Sequence, residues 1–250
     1  MALALCGAAV AGAVVVQQEG LRISVLSQVQ PYRLPRHGTA PIAVFVGGRV
    51  ATPSGEIPPQ LNRLAIDVNR HGLLQSRGLP VCPTGRLRST TTDQALAACG
   101  TAIVGSGKFW AHILLPGQRP YPTQGRILIF NGRSHGRPAL LAHIFTSNPF
   151  NASFLVVFGI RRIAKGAFGT RLAATFSDAL GEWGYVDRIK LTLKRKYRWR
   201  GRQLSYFNAG CPAPAGTDRT AYPLARVTFS FADRHSIGAT VNKACAVVKE

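Results

Sequence analysis

The chain has 250 residues, of which 46% are hydrophobic, and this content excludes disorder throughout because it can form a sizeable core. Only 16% of the residues are charged, yet 31 Lys and Arg stand against 10 Asp and Glu, a formal net charge of +21. A field of this sign attracts polyanions such as nucleic acid, acidic envelope polymers or anionic lipid headgroups, and salt weakens the attraction.

Residues 1–16 carry no charge and include Ala11, Gly12 and Ala13 in the small-x-small order of a cleavage site. They resemble the apolar region of a signal peptide, which predicts a secreted or cell-wall-associated protein. An apolar strand or helix is the alternative, because the run is short and no basic residue precedes it. A start codon farther upstream would explain both features. No stretch reaches the roughly 20 apolar residues that span a bilayer, so we expect no transmembrane segment.

Five cysteines are present, and Cys6 lies in the signal-like segment. The other four, Cys82, Cys99, Cys211 and Cys245, form an even number typical of folding in an oxidising compartment. We favour pairing Cys82 with Cys99 and Cys211 with Cys245, because separations of 17 and 34 residues are local. Zinc is the alternative ligand, but no C-x-x-C pair and no His at ligand spacing accompany the cysteines. We therefore expect neither a metal nor another cofactor.

Residues 17–40 are predicted to form an extended lead-in that Pro31, Pro35 and Gly38 interrupt. Short β-type runs follow, separated by Pro-Gly, Asn-Gly and Lys-Gly turns. They cover residues 42–50, 64–69, 101–115, 126–130, 139–146, 153–163, 168–176, 186–197, 203–207 and 225–231. Their regular spacing predicts an all-β fold for residues 41–250, an antiparallel β-sandwich or a jelly-roll-like arrangement.

Two runs alternate clearly between apolar and polar residues. In the first, Leu64, Ile66 and Val68 should face the core, and in the second Lys190, Thr192 and Lys194 should face solvent.

Helix is sparse in this sequence. The best candidate is residues 92–99, which Ser and Thr caps precede and Gly100 ends. A second short helix is predicted over residues 236–245, and each helix would lie beside a disulfide.

The two alternating runs also suggest an internal repeat. Residues 63–70 and 188–195 each begin with Arg, contain three alternating apolar residues and end with a second Arg. Each segment is followed by a Cys-Pro pair and later by an Ala-Cys pair. Duplication would divide the domain into halves 41–147 and 148–250. Convergence on an amphipathic strand with Arg at its ends explains the match equally well.

The densest positive charge lies in residues 194–202. A hairpin with its tip at residues 200–202 would spread these cations along a ribbon, where Arg forks hold anions and aromatic rings stack on bases or sugars. The alternative is a solvated hairpin whose charges discourage edge pairing. The residues assigned to polyanion binding are Lys194, Arg195, Lys196, Arg198, Trp199, Arg200 and Arg202.

Catalytic motifs are absent from the sequence. It contains no H-E-x-x-H, no G-x-S-x-G and no Cys-His signature, and its acids are scattered. We therefore expect no enzyme activity. The alternative is a secreted hydrolase with a dispersed site, for which His112, His143 and Asp67 are the candidates.

Several short segments follow one another along the chain in a recognisable order: residues 59–63 (PQLNR), 69–72 (NRHG), 78–83 (GLPVCP), 92–99, 121–125 (YPTQG) and 210–212 (GCP). Together they resemble a family of exported bacterial β-rich proteins with no assigned activity. The resemblance covers nearly the whole chain after the signal-like segment, and it implies export and one shared architecture.

The sequence thus predicts an exported, non-catalytic β-sandwich protein whose basic surface binds anionic envelope or extracellular polymers. No specific nucleic acid is expected as a partner, because nucleic acid is seldom the proper ligand of an exported protein. A structural or assembly module without a small ligand is the third possibility.

Overall fold

The computed structural model describes residues 12–18, 20–176 and 184–248. Within them β-strands dominate, and the all-β class is confirmed. The strands are β1 Gly12–Gln18, β2 Leu21–Gln30, β3 Arg33–Leu34, β4 Ala40–Pro41, β5 Ala43–Ala51, β6 Leu61–Asn69, β7 Gly72–Leu74, β8 Cys82–Pro83, β9 Ile103–Ile113, β10 Tyr121–Ser134, β11 Arg137–Thr146, β12 Ala152–Lys165, β13 Phe168–Thr175, β14 Gly184–Leu193, β15 Lys196–Trp199, β16 Arg202–Ser205, β17 Phe207–Ala209, β18 Arg219–Phe231 and β19 Ser236–Val247.

One large sheet organises the fold. Its strand order is β1-β2-β5-β14-β9-β10-β11-β12-β13-β6-β18-β19-β3, with β8 added beside β10, and only the short β3 and β8 pair in parallel. The sheet curls so that its two ends meet. Leu21 and Ile23 of β2, near one end, share a buried cluster with Ile237 and Val241 of β19, near the other. Its inner face therefore encloses a core between facing layers, as a sandwich does.

The main core follows from alternation along the central strands. Phe109, Ile127 and Leu140 lie in it, because every second side chain of a strand points to the same face. Ile66 and Val68 pack against this core, as their alternation predicts.

The one α-helix among the described residues, α1, spans Thr92–Cys99 as predicted. Thr91 and Gln94 form a capping box at its start, and Gly100 caps its end. The helix covers a second cluster on the outer face of the sheet, where Leu128 and Leu141 pack under it.

Both favoured disulfides are confirmed. Cys82 pairs with Cys99 and ties α1 to β8, and Cys211 pairs with Cys245 of β19. No helix in the described part of the chain has the length and apolar character needed to cross a bilayer.

The second helix, predicted over residues 236–245, is wrong. This segment belongs to β19, which pairs along its length with β18. Ile237, Ala239 and Val241 alternate with exposed residues, and this period of two outweighs the helical preference of the neighbouring Ala residues.

The N-terminal region contributes more to the sheet than an extended lead-in would. β2 pairs with β1 on one side and β5 on the other, so residues 21–30 lie within the sheet. Residues 12–16 of the signal-like segment belong to β1, whereas residues 1–11, with Cys6, lie outside the described residues.

The two sequence halves interleave in this sheet. β14 of the second half lies between β5 and β9 of the first, and β6 lies between β13 and β18. Residues from both halves therefore face each other across neighbouring strands, and this brings distant cations together.

Candidate anion-binding surface

The basic segment 194–202 forms a hairpin, and its predicted tip is confirmed. β15 and β16 pair only with each other, with Lys196 opposite Ser205 and Trp199 opposite Arg202. Arg200 and Gly201 at the turn have φ values of 48° and 74°. Positive φ at both central residues is typical of a type I′ turn, whose twist matches that of the flanking strands.

The two faces of the hairpin differ in exposure. Lys194, Lys196, Arg198 and Arg200 are exposed, whereas the residues between them are half-buried. The exposed cations of this strand and its turn therefore project to one side. Arg202 at the start of β16 is also exposed, but it pairs directly with Trp199 and so lies on the side of Trp199.

The half-buried face is held against the body of the protein. The Tyr197 hydroxyl contacts two carbonyl oxygens, those of Gln75 and Arg77, each at 2.9 Å. Arg195 Nη2 donates to the Thr101 carbonyl oxygen at 3.1 Å. Of the residues assigned to polyanion binding, Arg195 and Trp199 thus lie on the face that contacts protein.

Trp199 packs directly on the backbone at Gly78. A Cβ atom built on Gly78 would lie 1.9 Å from Trp199 Cδ1, so a glycine is needed for this approach. The ring centroid is 4.7 Å from Arg200 Cζ and 5.8 Å from Arg77 Cζ, within cation–π range. The ring therefore orients cations and does not stand free to stack on a base or sugar.

Arg77 belongs to this surface, although sequence reasoning missed it. It is far from the basic segment in the chain, and only the packing of Trp199 brings it there. The Gly78 that follows is a local turn signal, which does not indicate a ligand site.

A second group of cations lies on the outer face of the large sheet. Lys190 of β14 is directly opposite Lys108 of β9, and Lys108 is directly opposite Arg126 of β10. All three side chains are exposed. We call Lys190, Lys108 and Arg126 the cation row.

Trp110 lies beside the cation row, two residues after Lys108 on the same face of β9. Its ring centroid is 5.2 Å from Arg188 Cζ and 5.9 Å from Lys190 Nζ. Arg188 in turn lies opposite Arg49 of β5, which extends the positive surface by one strand.

Asp67 neutralises cations elsewhere on the same sheet. Its Oδ2 atom lies 2.7 Å from Arg171 Nη2 and 2.7 Å from Arg226 Nη2, and the residue is 2% exposed. The hydrogen bond from Arg171 is the main cause that lowers the pKa of Asp67 to about 2, against the opposing effect of burial. Arg226 lowers it further.

The candidate hydrolase residues do not meet. Asp67 on β6 is three strands away from His143 on β11. On the shared neighbour β10, His112 pairs with Pro122 and His143 with Leu128, a separation of roughly 20 Å along the strand.

His143 has a structural environment. It is fully buried, burial lowers its pKa, and its Nε2 lies 2.9 Å from the Thr90 carbonyl oxygen. His112 stacks on Tyr185, with ring centroids 5.0 Å apart. Among the described residues, no group of His, Cys, Asp or Glu side chains could hold a metal ion.

A cavity of about 330 Å³ opens beside His112 and Tyr185. Apolar side chains such as Phe109, Ile144 and Phe154 form most of its wall, and none of its described lining residues is Lys or Arg. The candidate cations therefore contribute nothing to the wall of this cavity.

The fold defines a disulfide-bonded, all-β protein. No family model, no curated protein and no solved structure matches the chain.

Proposed function

We propose that this protein is an exported, non-catalytic β-protein that binds anionic envelope or extracellular polymers through the hairpin of β15 and β16. The observation that carries the proposal is the division of the hairpin into two faces. One face is fixed to the protein by Tyr197 and Trp199, and the other presents Lys196, Arg198 and Arg200 to solvent.

A fixed hairpin favours binding for two physical reasons. Its backbone loses little conformational entropy when a ligand binds, because the hairpin is already docked. Its Arg side chains can form bidentate, charge-assisted hydrogen bonds with carboxylate, sulfate or phosphate groups. Within the described chain, no carboxylate is paired with a hairpin cation, so these donors remain for a ligand.

Two observations support export. The disulfides Cys82–Cys99 and Cys211–Cys245 are typical of proteins that fold in an oxidising compartment. Residues 1–16 also resemble a signal peptide. Membership of the exported family that the sequence resembles stays a prediction.

Titration with an anionic polysaccharide and with DNA, across a salt series, tests the proposal. The triple variant Arg198→Ala, Arg200→Ala, Arg202→Ala should bind polysaccharide about a hundredfold more weakly, since each cation contributes about 1 kcal/mol. A matched control removes three exposed cations elsewhere, with Arg133→Ala, Arg137→Ala and Arg162→Ala.

The control should change the affinity by less than about threefold. Equal losses in the two triple variants would mean that net charge alone causes binding, against the proposal. If the unmodified protein binds no polymer even at low salt, the proposal is wrong and a structural or assembly module is the better description.

A further inference from the structure

The exposed positions of the hairpin follow those of β14 in the chain, and only Lys194 and Arg195 lie between the two strands. From residue 188 to residue 200 the even-numbered side chains are exposed or half-buried, and Lys190, Lys194 and Lys196 are among the exposed ones. The odd-numbered Ile189, Leu191 and their successors pack inward. A segment of this length spans about 40 Å at most.

At Lys190 this line meets the cation row, which crosses the neighbouring strands. Neighbouring strands lie about 4.8 Å apart, so Lys190, Lys108 and Arg126 follow one another across β14, β9 and β10 at roughly this interval. We call the cation row together with Lys194, Lys196, Arg198 and Arg200 the cation track.

The cation row is unfavourable for the isolated protein. Like charges directly opposite each other on neighbouring strands repel, and Lys108 has a cation on each side. No carboxylate of the described chain is paired with any of the three. An external anion along the row would relieve this repulsion.

Resting on the proposed function, we propose that the cation track binds a linear anionic polysaccharide. Successive charged sugars lie along β14, from the cation row at one end to the hairpin tip at the other. The cations follow a line and do not converge on one point, so the track suits repeated charges better than a single small anion.

The aromatic residues favour a polysaccharide over single-stranded nucleic acid. Recognition of unpaired bases uses free aromatic rings as stacking platforms. Tyr197 and Trp199 face the protein, and Trp110 contacts Arg188 and Lys190. The track thus offers charge contacts along a chain, with little provision for stacking.

Chain length is the property that tests this inference. The full-length protein is titrated with a heparin tetrasaccharide and a heparin dodecasaccharide at the same salt concentration. The dodecasaccharide should bind at least about tenfold tighter, because it can engage the cation row and the hairpin together.

The row variant Lys108→Ala, Lys190→Ala, Arg126→Ala should lose most of that gain. Its dodecasaccharide affinity should fall at least about tenfold, whereas its tetrasaccharide affinity should change less than about threefold, because a short chain can still occupy the hairpin. Circular dichroism and thermal melting verify that the variant is folded.

Different failures have different meanings. If the row variant binds the dodecasaccharide as the unmodified protein does, while the hairpin triple variant loses binding, this inference is overturned and the proposed function stands. If the unmodified protein binds neither oligosaccharide at low salt, both are overturned. If DNA with the same number of charges binds as tightly as the dodecasaccharide, the polysaccharide assignment is overturned.

Discussion

Two rows of charged residues cross the outer face of the same sheet. In one, Asp67 lies between Arg171 and Arg226 on strands β13, β6 and β18. In the other, Lys108 lies between Lys190 and Arg126 on strands β14, β9 and β10. The register is equivalent, but the central residue has the opposite charge.

This difference separates a structural contact from a candidate ligand surface. The Asp67 carboxylate is buried and forms ion pairs with both arginines. These ion pairs link three neighbouring strands. Lys108 provides no such bridge, so Lys190 and Arg126 stay exposed and unneutralised by the described chain. In the row of Asp67 the protein supplies its own anion. In the cation row an anion would have to come from a ligand.

Replacing Asp67 should have the largest effect. We expect Asp67→Asn to lower the free energy of unfolding by about 3–5 kcal/mol, because two partly buried arginines lose their charged partner. Urea unfolding measures the change. Asp218→Asn is the control, since it removes one negative charge at an exposed position. A similar small loss in both variants would contradict a structural role for the Asp67 contact.

The docking of the hairpin should depend on Gly78. Gly78→Ala places a methyl group where the Trp199 ring lies, so we expect a loss of about 2–3 kcal/mol in unfolding free energy and weaker polymer binding. Urea unfolding and quenching of Trp fluorescence report the two changes.

Gly55→Ala is a closely matched control for that variant. Gly55 has φ of 77°, against 78° at Gly78, but no atom would contact its Cβ. It should therefore show only the backbone cost of about 1–2 kcal/mol. Equal effects of the two substitutions would mean that Trp199 is not held by Gly78.

Acid should weaken the row that contains Asp67. The pKa of Asp67 is about 2 in the folded protein, below its usual 3.8, so the unfolded chain takes up the proton first as pH falls. The resulting stabilisation of about 2 kcal/mol is complete above pH ~4 and is lost as the pH falls through 2. Over this range the free energies of unfolding of the unmodified protein and Asp67→Asn should approach each other by about 2 kcal/mol, and a constant difference would contradict the assignment.

The smallest expected change in stability comes from giving the cation row a central carboxylate, as the row of Asp67 has. Lys108→Glu places a carboxylate between Lys190 and Arg126, and should raise the free energy of unfolding by about 0.5–1 kcal/mol. Polysaccharide affinity should fall at least about tenfold at the same time. Lys165→Glu, with the same charge change at the end of β12, is the control. A loss of stability in Lys108→Glu would show that the two rows are not equivalent.

Local patterns in the sequence predicted most of the strands, α1, the hairpin tip and both disulfides. These features depend on alternation, capping residues and short separations, all of which lie within one segment. The error at residues 236–245 arose because Ala residues there suit a helix, while the alternation of Ile237, Ala239 and Val241 indicates a strand.

The cation row could not be predicted in the same way. Lys108, Arg126 and Lys190 lie on three separate strands, and only the register of the sheet places them side by side. The inward orientation of Trp199 did have a sequence signal. The alternation of Ile189, Leu191 and Leu193, extended by two residues at a time, reaches Arg195, Tyr197 and Trp199, which predicts that they share the inward side.

The position of β14 has a consequence for how the protein folds. This strand is made after β5 and β9, yet it lies between them, so the middle of the sheet stays open until residues 184–193 have been synthesised. Pairing over such sequence distances is slow, because loop closure must precede the contacts that reward it. Until then β5 and β9 each expose an unpaired edge that can join another chain. The step that assembles the cation track is therefore also the step that covers these two edges.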